Sequence, residues 1–244
     1  MKYMGSKNRI AKHILPIMVN EAEKRGITTW VEPFVGGGNM IDKVPDSFDR
    51  IGYDLNEHTI MAMIDIRDKA NDLPDVVSEE EYKELRGLPP QSVGSWIRFV
   101  CSFGGKFEDG FAREKPESKA ALKRGFVRNH AAEGKRNAIR QSPKIQGVNF
   151  IHVCYQDLQV FDSIIYCDPP YRDARGYKTG KFNHDQFFDW CRNMTKNGNV
   201  VFVSEYNAPD DFECVWQGEV KTNFASNRAK ATHKAVEKLF VLAP

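Results

Sequence analysis

The chain has 244 residues, 41% hydrophobic and 28% charged. That is enough to bury a sizeable core without staples, and it excludes a collagenous, coiled-coil or wholly disordered protein. Net charge is +2, from 35 Lys and Arg against 33 Asp and Glu. No stretch is apolar for the length of a membrane span, and the basic start has no apolar core behind it, so no secretory signal is expected. Cysteines 101, 154, 167, 191 and 214 are scattered, with no CxxC pair, and the six histidines lack ligand spacing. These patterns predict a reduced, cytoplasmic protein with neither a disulfide framework nor a metal.

In chain order, Ile10, Ile14, Ile17 and Met18 give Asn8 to Arg25 a helical period that Gly26 stops, with Pro16 expected to kink or break it. Thr28 to Phe34 reads as a buried strand running into Gly36-Gly37-Gly38, and Arg50 to Asp54 as a second strand with an acidic end. Glu57 to Ala70 is helical in phase. From about residue 72 the texture changes to an acidic patch, prolines and then a basic run. Between Arg113 and Lys144 ten basic residues stand against three acidic ones, so the rest of the chain is net acidic. That asymmetry fits a polyanion met by one segment, although a charge run alone is more often a solvated face. Strands return at Val148 to Cys154 and Phe161 to Cys167. A helix over His184 to Lys196 follows, then strands at Asn199 to Ser204, Glu213 to Gln217 and Glu237 to Leu242. Strands alternating with helices predict a doubly wound α/β sheet, residues 1–71 and 147–244, interrupted by a mainly helical insert over 72–146.

Two stretches carry chemistry. The first strand delivers Pro33-Phe34-Val35-Gly36-Gly37-Gly38, and a helix is expected to follow, so backbone amides would face a ligand that approaches closely. Asp54 ends the next strand, where a carboxylate can accept from ribose hydroxyls. A tight turn and a solvated aspartate are the plain alternatives; loop and acid together favour an adenosine-containing cofactor. At the end of a later strand, Asp168-Pro169-Pro170-Tyr171 offers a carboxylate, a carbonyl and a ring in a stiff turn without two backbone donors. That set suits a planar heterocycle bearing an exocyclic amine.

These residues resemble the Dam-type (D12 class, alpha-group) DNA adenine-N6 methyltransferases. Tyr3-Met4-Gly5-Ser6-Lys7 is similar to the family's N-terminal cofactor motif and Pro33 to Gly38 to its glycine loop. Tyr53-Asp54-Leu55-Asn56 matches its acidic motif, and Asp168-Pro169-Pro170-Tyr171 its catalytic tetrapeptide. Tyr155-Gln156-Asp157-Leu158 sits where the family has an Asp-Phe against the cofactor's adenine, Leu158 being a departure. The resemblance covers roughly 1–70 and 148–242. It implies a Rossmann-like S-adenosylmethionine-dependent methyltransferase sheet. Tyr3, Lys7, Pro33, Phe34, Gly36, Gly38, Asp54, Asp157, Leu158 and Asp168 would be its cofactor contacts, and Asp168, Pro169 and Tyr171 its catalytic residues.

The expected partner is double-stranded DNA, gripped by the insert through Lys106, Arg124, Arg128, Arg136 and Arg140. Arg136 and Arg140, four apart, would share one helix face. A cognate restriction nuclease is a further candidate partner, and the setting would be the cytoplasm of a bacterium or of a phage's host. The competing readings are N4-cytosine methylation and a DNA-binding module with an inactive cofactor site. RNA or protein methylation fits the motif order less well. A nicotinamide dehydrogenase is disfavoured because GxGxxG is lacking.

Overall fold

Gly26 takes a left-handed conformation (φ 68°) and donates its N–H to Ala22 and Glu23, closing α1, Ala11–Arg25, where the sequence places the stop. Pro16 lies inside this helix without ending it. The carbonyl it deprives belongs to Lys12, on the exposed side, where water can replace the lost donor. In this computed structural model, residues 1–170, 182–221 and 234–243 are described.

Seven strands form one sheet: β1 Thr29–Glu32, β2 Asp49–Asp54, β3 Asn149–His152, β4 Ser163–Cys167, β5 Val200–Glu205, β6 Glu213–Lys221 and β7 Lys234–Leu242. The spatial order is β3-β2-β1-β4-β5-β7-β6. The first five run parallel, while β7 pairs antiparallel with both β5 and β6. This is a Rossmann-like sheet: a doubly wound parallel core whose last hairpin folds back antiparallel.

Central strands are apolar on both faces, as buried parallel strands must be. Trp30, Ile164, Tyr166, Val200 and Phe202 turn to one face, where they meet α1 and α2, Glu57–Lys69. Val31, Ile165, Cys167, Val201 and Val203 turn to the other, against Phe187, Phe188, Trp190 and Cys191 of α7, His184–Lys196. Asn183 caps α7 by accepting from the Gln186 N–H.

Residues 72–146 supply α3 Glu79–Leu85, α4 Gly94–Val100, α5 Lys119–Arg124 and α6 His130–Gln141. Tyr82, Trp96, Phe99 and Ala138 from these helices join the same apolar cluster as α1 and α2, so the segment shares its core with the sheet. Its return is pinned by buried Arg50 of β2, which donates to the carbonyls of Lys144 and Gln146, and by Arg67 of α2, which donates to Val148.

The stretch after β1 departs from expectation. No α-helix follows the glycine loop; only a single 3-10 turn, Ile41–Lys43, lies between β1 and β2. Pro33, three glycines and Pro45 leave no run of residues long enough to nucleate one.

Candidate active site

Four acidic side chains stand at the carboxyl ends of adjacent parallel strands: Asp54 on β2, Glu32 on β1, Asp168 just past β4 and Glu205 on β5. β1 and β4 are neighbours although the chain between them runs outward through β2 and β3, so the gap between them is a topological switch point. In open α/β sheets such a crevice is where ligands bind.

The segment before α1 closes one side. Ser6 caps a 3-10 turn, Lys7–Arg9, which turns the Lys7 side chain inward. Lys7 is 8% exposed, donates to the Gly5 carbonyl at 3.0 Å and places Nζ 2.7 Å from Asp168 Oδ1. Asp168 itself is 23% exposed. Burial pushes its carboxyl above the usual range, the Lys7 charge pulls it back, and the net shift is upward. Glu32, fully enclosed, accepts from the Trp30 indole at 3.0 Å, and burial drives its carboxyl well above the usual range.

The glycine loop is held by its own acid. Asp54 Oδ2 accepts the Gly36 N–H at 3.0 Å and Oδ1 accepts the Asn56 N–H at 2.9 Å. Burial still raises this carboxyl to about 6, against the opposing pull of those two bonds. The loop glycines make room for protein as well as for a ligand. A Cβ on Gly36 would lie 2.9 Å from the Tyr3 ring, and one on Gly37 2.7 Å from Tyr3 Cβ and 2.8 Å from the Met1 carbonyl. Tyr3 therefore lies against the loop backbone, its ring also tilted on Phe99 at 5.6 Å.

Beside this loop, Phe34 packs on Tyr155 (centroids 5.2 Å) and Phe182 (5.9 Å), with Leu158 and Pro33 buried and Asp157 exposed. The donor set fits a nucleoside cofactor: a carboxylate at the β2 end, loop amides, and half-exposed aromatic faces beside a buried leucine. Tyr171 lies outside the described residues.

Three contributors were not legible in the sequence. Gln141, the last residue of α6, donates Nε2 to the carbonyls of Gly37 (3.0 Å) and Gly38 (3.1 Å), while its Oε1 accepts from the Met1 amine. His184 donates Nε2 to the Pro170 carbonyl at 3.0 Å, and Glu205 Oε2 is 3.6 Å from the same nitrogen. His184 is the first residue of its helix and is not the cap, which is Asn183. These are contacts between distant segments, and no local spacing encodes them.

The basic residues predicted for DNA divide into two groups. Arg124 is paired with Glu114 and Arg128 with Glu133, whereas Lys106 faces Asp109 at 3.7 Å on the surface. Arg136 and Arg140 are both exposed on α6, and among the described residues neither makes an ion pair.

Residues 3–90 match the profile of the family described as D12 class N6 adenine-specific DNA methyltransferase. No curated protein matches the sequence. Among solved structures, the rRNA methyltransferase aviRa of Streptomyces viridochromogenes is similar at 10% identity, covering 99% of this chain and 86% of that one with a TM-score of 0.47. The N-methyltransferase NodS of Bradyrhizobium japonicum is similar at 7% identity, covering 98% and 99%, with a TM-score of 0.42. The magnesium protoporphyrin IX methyltransferase of Synechocystis, solved with bound SAM, is similar at 8% identity, covering 97% and 78%, with a TM-score of 0.41. The strand order and the crevice at its switch point define a Rossmann-like α/β fold with a ligand site at the strand ends. The family match is confined to residues 3–90, the stretch that carries Tyr3, Lys7, the glycine loop and Asp54.

Among the described residues, no helix is long and apolar enough to cross a membrane, and no cluster of three or more metal-ligating side chains occurs.

Proposed function

We propose that the protein transfers a methyl group from S-adenosylmethionine to the N6 amine of an adenine flipped out of duplex DNA. The observation that carries this reading is Asp168, held by Lys7 at the switch point beside the Asp54-anchored glycine loop. Asp54 would accept from the ribose hydroxyls, Phe34, Asp157 and Leu158 would border the adenine, and Tyr3, Lys7, Pro33, Gly36 and Gly38 would shape the methionine end. The cofactor supplies an electrophilic methyl on a sulfonium.

Lys7 occupies Asp168 Oδ1, which leaves Oδ2 to accept one amine N–H while the Pro169 carbonyl accepts the other. With both hydrogens so directed, the nitrogen lone pair would face the methyl; as the N–C bond forms and the S–C bond breaks, S-adenosylhomocysteine would leave and the surplus amine proton pass to solvent, with orientation supplying most of the acceleration. Tyr171 would stack on the flipped base. No covalent bond to the enzyme is required, and none of the five cysteines takes part.

The segment 72–146 would recognise the target. Arg136 and Arg140 on α6 are its most available phosphate contacts; Lys106, Arg124 and Arg128 would engage by exchanging a carboxylate for a phosphate. The enzyme would act in the cytoplasm of a bacterium or a phage's host, with a restriction nuclease as its functional counterpart.

The test is incubation with methyl-labelled S-adenosylmethionine and unmethylated duplex DNA, followed by nucleoside mass spectrometry. N6-methyladenine is the expected product. N4-methylcytosine would overturn the base assignment, and an unmodified duplex would overturn the reading. Asp168→Ala should lose turnover by orders of magnitude while DNA binding survives; equal loss of both would remove the role given to Asp168.

A further inference from the structure

The turn after β4 has a mechanical difficulty. Pro169 and Pro170 carry no N–H, so the Asp168-Pro169-Pro170 backbone cannot be fastened through its own donors at the two positions next to the carboxylate. Its carbonyls must be gripped from outside if they are to keep one direction. The described residues provide one such grip, the 3.0 Å bond from His184 Nε2 to the Pro170 carbonyl. A carbonyl oxygen only accepts, so the proton in this bond resides on Nε2.

His184 is itself well constrained. It is the first residue of α7, directly after the Asn183 cap, so its backbone is fixed by the helix. Phe182 meets its ring edge to face, with centroids 4.9 Å apart. Its side chain is 10% exposed, and Glu205 at the end of β5 is buried with it. The Glu205 carboxylate is anchored by accepting the Tyr206 N–H at 2.8 Å through Oε1, and it presents Oε2 3.6 Å from His184 Nε2. That separation is too long for a hydrogen bond, but it lays negative charge beside the donor. The ring therefore sits between two fixed elements, α7, which carries it to the turn, and β5, whose Glu205 backs it.

We propose that His184, backed by Glu205, is a positioning residue for methyl transfer: by holding the Pro170 carbonyl it fixes the direction of the neighbouring Pro169 carbonyl, which receives the amine. The inference rests on the reading of Asp168-Pro169 as the amine-binding pair. Peptide geometry transmits the constraint, because the peptide unit is planar and the proline ring fixes φ. A turn free to rotate would still bind cofactor and DNA, which other residues hold, but would present the amine off line.

The experiment compares His184→Leu, which packs but cannot donate, with His184→Gln, which restores an N–H donor. It measures kcat and KM for duplex DNA, the Kd for S-adenosylhomocysteine, and the nitrogen-15 imidazole shifts of the wild-type ring. His184→Leu is expected to lower kcat by about 10- to 100-fold with KM and Kd changed by less than about 2-fold, as a misaligned but intact site should. His184→Gln should recover most of the loss. An unchanged kcat in His184→Leu, or equal loss in both variants, would overturn the proposal. Should the wild-type enzyme fail to methylate DNA in the same assay, the methyl-transfer reading falls instead. The imidazole spectrum then judges the contact without reference to turnover: a proton on Nε2 supports it, and an Nδ1–H tautomer overturns it.

Discussion

Lys7 Nζ sits 2.7 Å from Asp168 Oδ1, joining the segment before the first helix to the end of the fourth strand. Removing one partner of a buried pair leaves the other charge without compensation. With Asp168 partly open to solvent, Lys7→Met should cost about 2 kcal/mol of stability, below the roughly 3–5 kcal/mol of a fully buried pair. Adding Asp168→Asn to Lys7→Met should return at least half of that loss. Urea denaturation of the two variants and the wild type checks the cycle; a double variant no more stable than Lys7→Met would mean that Lys7 acts by packing alone.

Asp54 titrates at about 6 in the folded protein, above its usual 3.8, because burial outweighs its two backbone bonds. A carboxyl whose folded value is raised stabilises the fold when protonated, and that stability is lost as pH rises through about 6. Between pH 7.5 and 5 the wild type should gain on the order of 1 kcal/mol relative to Asp54→Asn, measured by denaturation at both pH values. Cofactor affinity should move the other way, weakening as pH falls through about 6, since the ionised form is the better acceptor for hydroxyls. Calorimetric titration at pH 5.5 and 7.5 checks the second half.

Gln141→Leu keeps the bulk of α6's last residue but removes its bonds to the Gly37 and Gly38 carbonyls, which retain the Met1 amine and the Asp42 N–H as donors. A hydrogen bond lost from groups that keep another partner costs about 0.5–1.5 kcal/mol. The expected result is a comparable loss of stability together with a weaker Kd for S-adenosylhomocysteine. Stability lost with an unchanged Kd would show that the loop keeps its shape without the glutamine.

Arg136 and Arg140 are exposed, whereas Arg124 already has Glu114. Each lost phosphate contact lowers the slope of log affinity against log salt by about 0.9. Arg136→Gln with Arg140→Gln should therefore reduce that slope by about 2, and Arg124→Gln by less than 1. Fluorescence anisotropy with duplex DNA across a salt series distinguishes them.

Much of the fold was legible because its signals are local. The end of α7 follows from Asn197-Gly198 after it, and Gly26 stops α1 where the left-handed turn occurs. Strands β4 and β5 were found as β-branched runs, since parallel strands buried on both faces leave that trace. The helix expected after the glycine loop is a 3-10 turn instead, because the analogy with nucleotide folds outran the six residues between Gly38 and Pro45. In the site, Lys7 and Asp168 could each be named from resemblance, but their pairing is long-range. The same holds for His184 on Pro170 and Gln141 on Gly37, where sequence distance hides the contact.

The glycine loop is finished by side chains from far along the chain, and this sets the order in which the protein can become competent during synthesis. Residues 3–90 contain Tyr3, Lys7, the loop and Asp54, yet Gln141 and Asp168 emerge only later, Asp168 after about two-thirds of the chain. Until then β1 lacks its second neighbour, β4, and Lys7 lacks the Asp168 carboxylate. Contacts of such long sequence separation form late. A nascent chain carrying the whole family-matched segment would thus remain inert, and the cofactor cleft would assemble as a last act of folding.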